Sequence, residues 1–192
     1  PLWSRGLGDV YKRQAQGLSL RIDWLDIISF ADQMPACMYA GAEMDGGALR
    51  GWTRYDAEQR GQRSVMAVKQ DVKLLNDNIV RLTVVEALRR IMARRELRVA
   101  DIDWFLPHYS SEFFRERLAA GLAEVDLPIP MARWFTNLTS KGNTGAASIF
   151  IILDELFNGG HLRSGQRLLC YVPESGRFSS AFMHLTVVGD EA

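Results

Sequence analysis

Cysteine is nearly absent: Cys37 and Cys170 are the two in 192 residues. Two thiols cannot build a framework of bridges, and neither lies at metal-ligand spacing. Histidine is almost as scarce, and His161 and His184 have no partner at metal-ligand spacing. No metal and no cofactor are therefore expected. A charge excess is missing too, with 23 Lys+Arg against 23 Asp+Glu. That balance offers no global attraction to nucleic acid or to an anionic membrane surface. The longest apolar runs fall far short of a membrane span, and no signal peptide is visible. These absences together predict a reducing, cytoplasmic compartment. No Gly-x-Ser-x-Gly elbow, P-loop or Gly-x-Gly-x-x-Gly run occurs, which counts against serine hydrolases and nucleotide-binding folds.

What is present suits one globular domain, or half of a larger one, because 47% of the residues are hydrophobic and 24% charged. Residues 1–14 lack the patterning of the rest. They resemble translated sequencing-adapter peptide and are set aside from fold reasoning. On that reading residues 15–192 are the domain, and the true protein begins further upstream.

Alternation at Leu18, Leu20 and Ile22 predicts a strand over 18–23. Residues 31–64 are rich in glycine and read as a long functional loop or insertion. Val72, Leu75, Ile79, Leu82, Val85, Leu88 and Met92 share one face of a helix over about 71–95. Trp104-Phe105-Leu106 is a short buried strand ended by Pro107. A helix carrying Phe114, Leu118, Leu122 and Val125 follows. A strand-like aromatic run from Trp134 breaks at Lys141-Gly142. The chain restarts as a helix with Asn143 at its mouth and Ile149, Ile152, Leu153, Leu156 and Phe157 at helical spacing. Gly159-Gly160 stops it. Two strands, 168–172 and 178–188, close the chain. Such alternation implies a layered α/β sheet.

His108 directly follows a strand and precedes a helix. Asn143 has the same setting one αβ unit later. Sites in open α/β sheets gather beyond the carboxyl ends of strands, so the two side chains can converge. An imidazole N–H and a carboxamide N–H aimed at one point make a donor pair for a developing oxyanion. Each also has a bland reading, a surface or capping histidine and a helix N-cap asparagine.

Three segments carry a resemblance: Asp103-Trp104-Phe105-Leu106-Pro107-His108, Gly142-Asn143-Thr144-Gly145-Ala146-Ala147-Ser148-Ile149, and Gly165-Gln166-Arg167-Leu168-Leu169. They resemble β-ketoacyl-acyl-carrier-protein synthase III, a condensing enzyme of the thiolase fold. The resemblance implies the C-terminal half of a thiolase-like fold, with a mixed five-stranded sheet layered with helices. It implies an acyltransferase that performs decarboxylative Claisen condensation between an acyl-cysteine and malonyl-acyl carrier protein, in fatty acid or related polyketide-type biosynthesis. By motif position His108 and Asn143 would stabilise the enolate. Gly176 would offer a backbone N–H to the acyl oxyanion. Substrates would be a coenzyme A thioester and malonyl-acyl carrier protein, and the full-length form a homodimer.

The sequence departs from the family where Tyr109-Ser110-Ser111 replaces Gln-Ala-Asn after the histidine. It departs again at Pro173-Glu174-Ser175-Gly176-Arg177-Phe178, where the family has a glycine-rich loop. The nucleophilic cysteine belongs upstream, in the family's N-terminal half. Cys37 lies too close to His108 in the chain and in a stretch without helical periodicity, so it is rejected as the nucleophile. Cys170 reads as core. Arg90, Arg94 and Arg115 could meet an acidic carrier protein, against the plainer reading of a solvated helix face. The alternative function is a non-catalytic thiolase-fold subunit that binds an acyl carrier or an active partner. A third is a relative that condenses coenzyme A thioesters without a carrier. A half-fold should leave the Asn143 helix, apolar nearly all round, without its covering layer and so expose an apolar patch.

Overall fold

The computed structural model describes residues 17–189, so the reading of residues 1–14 lies outside the described residues. Strand β1 spans Ser19–Ser29, longer than the predicted 18–23. The 31–64 stretch is not a bare loop. It holds β2 (Met38–Tyr39), the hairpin β3 (Ala42–Asp45) and β4 (Ala48–Gly51), and the short helix α1 (Ala57–Gln62). Asp56 and Gln59 form a reciprocal capping box at the start of α1. Strand β5 (Lys69–Gln70) pairs with β2 and folds this segment back against the domain.

The predicted 71–95 helix is helical over 72–92, in three pieces: α2 (Val72–Val80), a π-helical segment (Arg81–Glu86) and α3 (Ala87–Met92). Asp71 starts it by accepting the Leu74 N–H at 2.8 Å. Within the π segment the Thr83 hydroxyl donates to the Ile79 carbonyl at 2.5 Å. A side chain thus bonds a carbonyl of the helical ladder, and such competition bends or widens helices. Thr83 has then spent its one proton, so the Tyr171 hydroxyl donates to it at 2.6 Å.

Strand β6 (Trp104–Pro107) leads to helix α4 (Arg115–Glu124). A short helix α5 (Leu138–Lys141) and a 3₁₀ turn (Gly145–Ala147) precede α6 (Ser148–Asn158). Strands β7 (Arg167–Glu174) and β8 (Ser179–Val188) finish the chain. The main sheet runs β1-β8-β7-β6. Strand β8 is antiparallel to both neighbours, and β6 is parallel to β7, with Leu106 opposite Cys170.

Four strands stand where five were expected. The fifth candidate, the aromatic run from Trp134, is reduced to a single parallel bridge between Trp134 and Phe105. A 3₁₀ turn at Met131–Arg133 bounds it on one side and α5 on the other. Too few residues remain to extend a ladder. The fold class stands: a mixed sheet with helices on both faces.

Helices α2, α3 and α4 cover one face, with Leu88, Ile91, Phe105, Leu122 and Phe182 in the core. Helix α6 covers the other through Ile149, Ile152 and Leu156 against Leu106, Leu168 and Cys170. It does not reach across β1. A bulge between Ile22 and Trp24 keeps Ile22, Leu25 and Ile27 on one face of that strand. They are 52–70% exposed, and Phe150 on α6 is 69% exposed. Apolar surface of that kind marks a place where something packs.

Helix α4 approaches the end of α2 closely at Gly121. A methyl group there would sit 2.7 Å from Val80 Cγ1. Gly121→Ala gains up to about 1 kcal/mol of helix propensity but forces an overpacked contact costing about 1–3 kcal/mol. The net result expected is a lower midpoint in thermal denaturation. A midpoint equal to the parent's would show that the helices part without cost.

Candidate active site

Strand β6 ends in Pro107, paired with Tyr171 in the parallel ladder. The next N–H, that of His108, donates to the Tyr171 carbonyl at 2.8 Å. This places the His108 side chain just past the carboxyl end of the sheet. The side chain is buried, and its imidazole has no hydrogen-bond partner among the described residues. Asn143 follows Gly142, whose φ of +75° supplies a left-handed bend. Its Oδ1 accepts the Gly145 N–H at 3.0 Å. The carboxamide is thereby oriented, and its NH₂ group has no partner among the described residues.

Both residues line one cleft of about 450 Å³. Leu75, Ile79 and Val80 form one wall, Phe114 and Leu118 another, and Tyr171 to Ser175 a third. Met38 and Gln70 close it from the 31–70 segment. A pocket this apolar strengthens any hydrogen bond made inside it. Burial alone pushes the His108 pKa below its ordinary 6.5, so the ring is neutral at pH 7 and presents one donor and one acceptor.

That shift has a stability signature. Between the lowered folded value and 6.5 the unfolded chain binds a proton that the folded chain refuses. Stability therefore rises with pH across that window and falls on acidification through 6.5. A separate loss begins below 3.8, where Asp26, held down by Arg95, and Asp101, held down by Arg98, take up protons. In urea titrations across pH, His108→Gln should remove the first slope and leave the second. A variant that keeps both slopes would mean that another group refuses the proton.

The other expected residues fare differently. Gly176 is not in the cleft wall; its N–H donates to the Glu174 carboxylate. Arg90 lies over the Phe30 ring at 4.4 Å, and Arg94 is 3.6 Å from Asp26. With Arg95, bonded to Asp26 at 2.5 Å, Arg94 ties α3 and its end to β1. Arg115 lies next to cleft-lining Phe114 and is 3.7 Å from Glu112. Its Nε is buried without a partner. Cys37 is buried, its thiol donates to the Asp71 carbonyl at 3.3 Å, and burial with Asp71 and Glu174 pushes its pKa up. Burial pushes Cys170 up to about 12. Neither thiol is activated.

Tyr171, Glu174 and Ser110 line the cleft without having been singled out. Tyr171 reads as core because it sits mid-strand. Its buried hydroxyl, paired with Thr83, is a signal only the folded chain displays.

A family profile described as "3-Oxoacyl-[acyl-carrier-protein (ACP)] synthase III C terminal" matches residues 92–180, which include both His108 and Asn143. A β-ketoacyl-[acyl-carrier-protein] synthase III of Laribacter hongkongensis is 30% identical over 186 residues, covering 88% of this chain and 56% of that protein. Over this region the chain is similar to the synthase III family. It spans about half the length of these relatives. The solved 3-oxoacyl-(acyl carrier protein) synthase III of Pseudomonas aeruginosa superposes with a TM-score of 0.59 at 20% identity, covering 88% of this chain and 44% of that one. A tetronic acid condensing enzyme superposes at 0.61 and 18% identity, covering 87% of this chain and 45% of that one. At those identities the likeness is one of fold, and that fold is thiolase-like. The matching profile is that of the synthase III C-terminal region. Among the described residues no helix is long and apolar enough to cross a membrane.

Proposed function

We propose that the cleft carries out the carbon–carbon bond-forming step of a decarboxylative Claisen condensation. An acyl group, taken from a coenzyme A thioester, waits on a cysteine supplied from outside residues 17–189. A malonyl group on an acyl carrier protein enters with its thioester oxygen between the His108 ring N–H and the Asn143 NH₂. The bond to the carboxylate breaks, and its electron pair moves into the thioester carbonyl as an enolate. Carbon dioxide leaves. The enolate carbon attacks the acyl carbon, the cysteine departs as thiolate, and the thiolate takes up a proton. His108 and Asn143 lower the barrier by donating to the oxygen on which charge develops.

One observation carries this reading: a neutral, unpartnered imidazole and an unpartnered carboxamide NH₂ open into the same apolar cleft. Arg115, beside the cleft wall, is the arginine best situated to meet an acidic carrier protein; Arg90 and Arg94 are engaged with β1 and its following turn. Exposed Ile22, Leu25, Ile27 and Phe150 offer an apolar face for a nucleophile-bearing half and for a homodimer built on it.

A second reading rests on the two thiols. With both buried and raised in pKa, the chain would serve as a non-catalytic subunit that holds an acyl carrier or an active partner. Release of carbon dioxide from malonyl-carrier protein separates the two. Release by the chain joined to its nucleophile-bearing half supports the enzyme. No release from that assembly, with the carrier still bound, supports the subunit.

A further inference from the structure

Among the described residues that line the cleft with His108 and Asn143, Glu174 is the one carboxylate, and none is a lysine or arginine. Release of carbon dioxide from a malonyl group needs no base, so decarboxylation leaves this carboxylate without a task. Its oxygens are oriented by the turn between β7 and β8: one accepts the Gly176 N–H, and the other accepts the Arg177 N–H at 3.2 Å. The turn is itself braced, since the Gly176 carbonyl accepts the Cys37 N–H at 2.7 Å. An ionised carboxylate has about four lone-pair sites, so each oxygen keeps another with which to take a proton. Glu174 is also exposed, and a proton taken there passes to solvent. The imidazole that shares its cleft is neutral, because burial lowers the His108 pKa. A carboxylate base with a neutral imidazole donating to the carbonyl oxygen is a pairing that removes protons from the carbon next to a carbonyl.

We propose that the cleft also enolises acyl thioesters that carry no carboxylate, with Glu174 as the general base. The inference rests on the reading of His108 and Asn143 as donors to an enolate oxygen. The bond from the α-carbon to hydrogen breaks, and the proton goes to a Glu174 oxygen. The electron pair moves into the thioester carbonyl, whose oxygen His108 and Asn143 hold. The enolate carbon then attacks an acyl group on the cysteine supplied from outside residues 17–189. A carbon–carbon bond forms and the carbon–sulfur bond breaks. The thiolate takes up a proton from the water to which Glu174 releases its own. An acyl-cysteine and a second thioester thus give a β-ketoacyl thioester and the free cysteine, with no carbon dioxide released. The substrate class is an uncharged acyl thioester with hydrogen on its α-carbon. The Glu174 charge favours that class, because a malonyl carboxylate meets a like charge at that end of the cleft.

Acetyl-coenzyme A in D₂O is the probe, because proton removal needs no cysteine. Incubated with the chain, it should gain deuterium in its acetyl methyl group faster than in buffer, as read by mass spectrometry. Glu174→Gln should slow that gain by about 10²–10⁴-fold, the usual contribution of a positioned base. Glu174→Asp, which keeps a carboxylate, should recover part of it. A base is told from a brace by the ratio of exchange to malonyl-carrier decarboxylation, both measured in the chain joined to its nucleophile-bearing half. Glu174→Gln should lower that ratio at least about tenfold, whereas His108→Ala should slow both reactions. Equal loss of both reactions in Glu174→Gln means that the carboxylate only braces the turn, and overturns the inference. Exchange at the parental rate in His108→Ala overturns it as well. So does a parent that exchanges no faster than buffer: with decarboxylation retained the cleft reading stands, and with decarboxylation absent both fall together.

Discussion

His108→Ala in the chain joined to its nucleophile-bearing half is expected to slow malonyl-carrier decarboxylation by about 10²–10³-fold, the cost of removing one oxyanion donor. Asn143→Ala should cost a comparable factor. Both donors act on charge that exists only after the carbon–carboxylate bond begins to break. The loss should therefore fall on kcat, with KM little changed. The double variant should be less impaired than the product of the two factors, because the donors serve one oxygen as a unit. His108 is the sharper test of the pair. Its ring is buried without a partner, so no structural bond is lost with it, whereas Asn143 also accepts the Gly145 N–H. Release of carbon dioxide at the parental rate in both variants would remove the assigned roles.

Phe105→Ala should cost about 3–5 kcal/mol, as truncation of a fully buried phenylalanine does. Phe105 is 0% exposed in the middle of β6. Its ring meets Trp134 edge to face at 5.0 Å, and its carbonyl accepts the Phe135 N–H at 2.9 Å. The cavity left behind would lie under the strand that carries His108. A domain with about 5–15 kcal/mol in hand would lose a large part of it. Urea denaturation should show the midpoint fall with the slope kept. Phe105→Leu, which refills most of the volume, should recover most of the loss. A midpoint within experimental error of the parent's would place Phe105 outside the cooperative core.

His108 follows β6 as its strand-end position predicts, whereas Asn143 follows the short helix α5 rather than a strand, although both line one cleft. The α2–α3 stripe was legible from its spacing. The arginines were not. Arg94 was offered to an acidic partner, yet Asp26, nearly seventy residues earlier, pairs with it and with Arg95, and periodicity carries no information about a partner so distant. The fifth strand was misjudged for a related reason. Trp134 and Phe135 have strand character, but a strand needs a neighbour for several residues, and here the turn and α5 leave room for one bridge.

Composition and periodicity were enough to specify a layered α/β domain, because its elements depend on residues near in sequence. Three features were decided only when strands and helices met. The π segment at Thr83 answers to Tyr171 across the core. The bare strip on β1 reflects how far α6 reaches. The occupied amides of Gly176 and Arg177 depend on a carboxylate whose rotamer the turn selects. Contacts between groups far apart in the chain are energies of the packed state, and no local pattern encodes them.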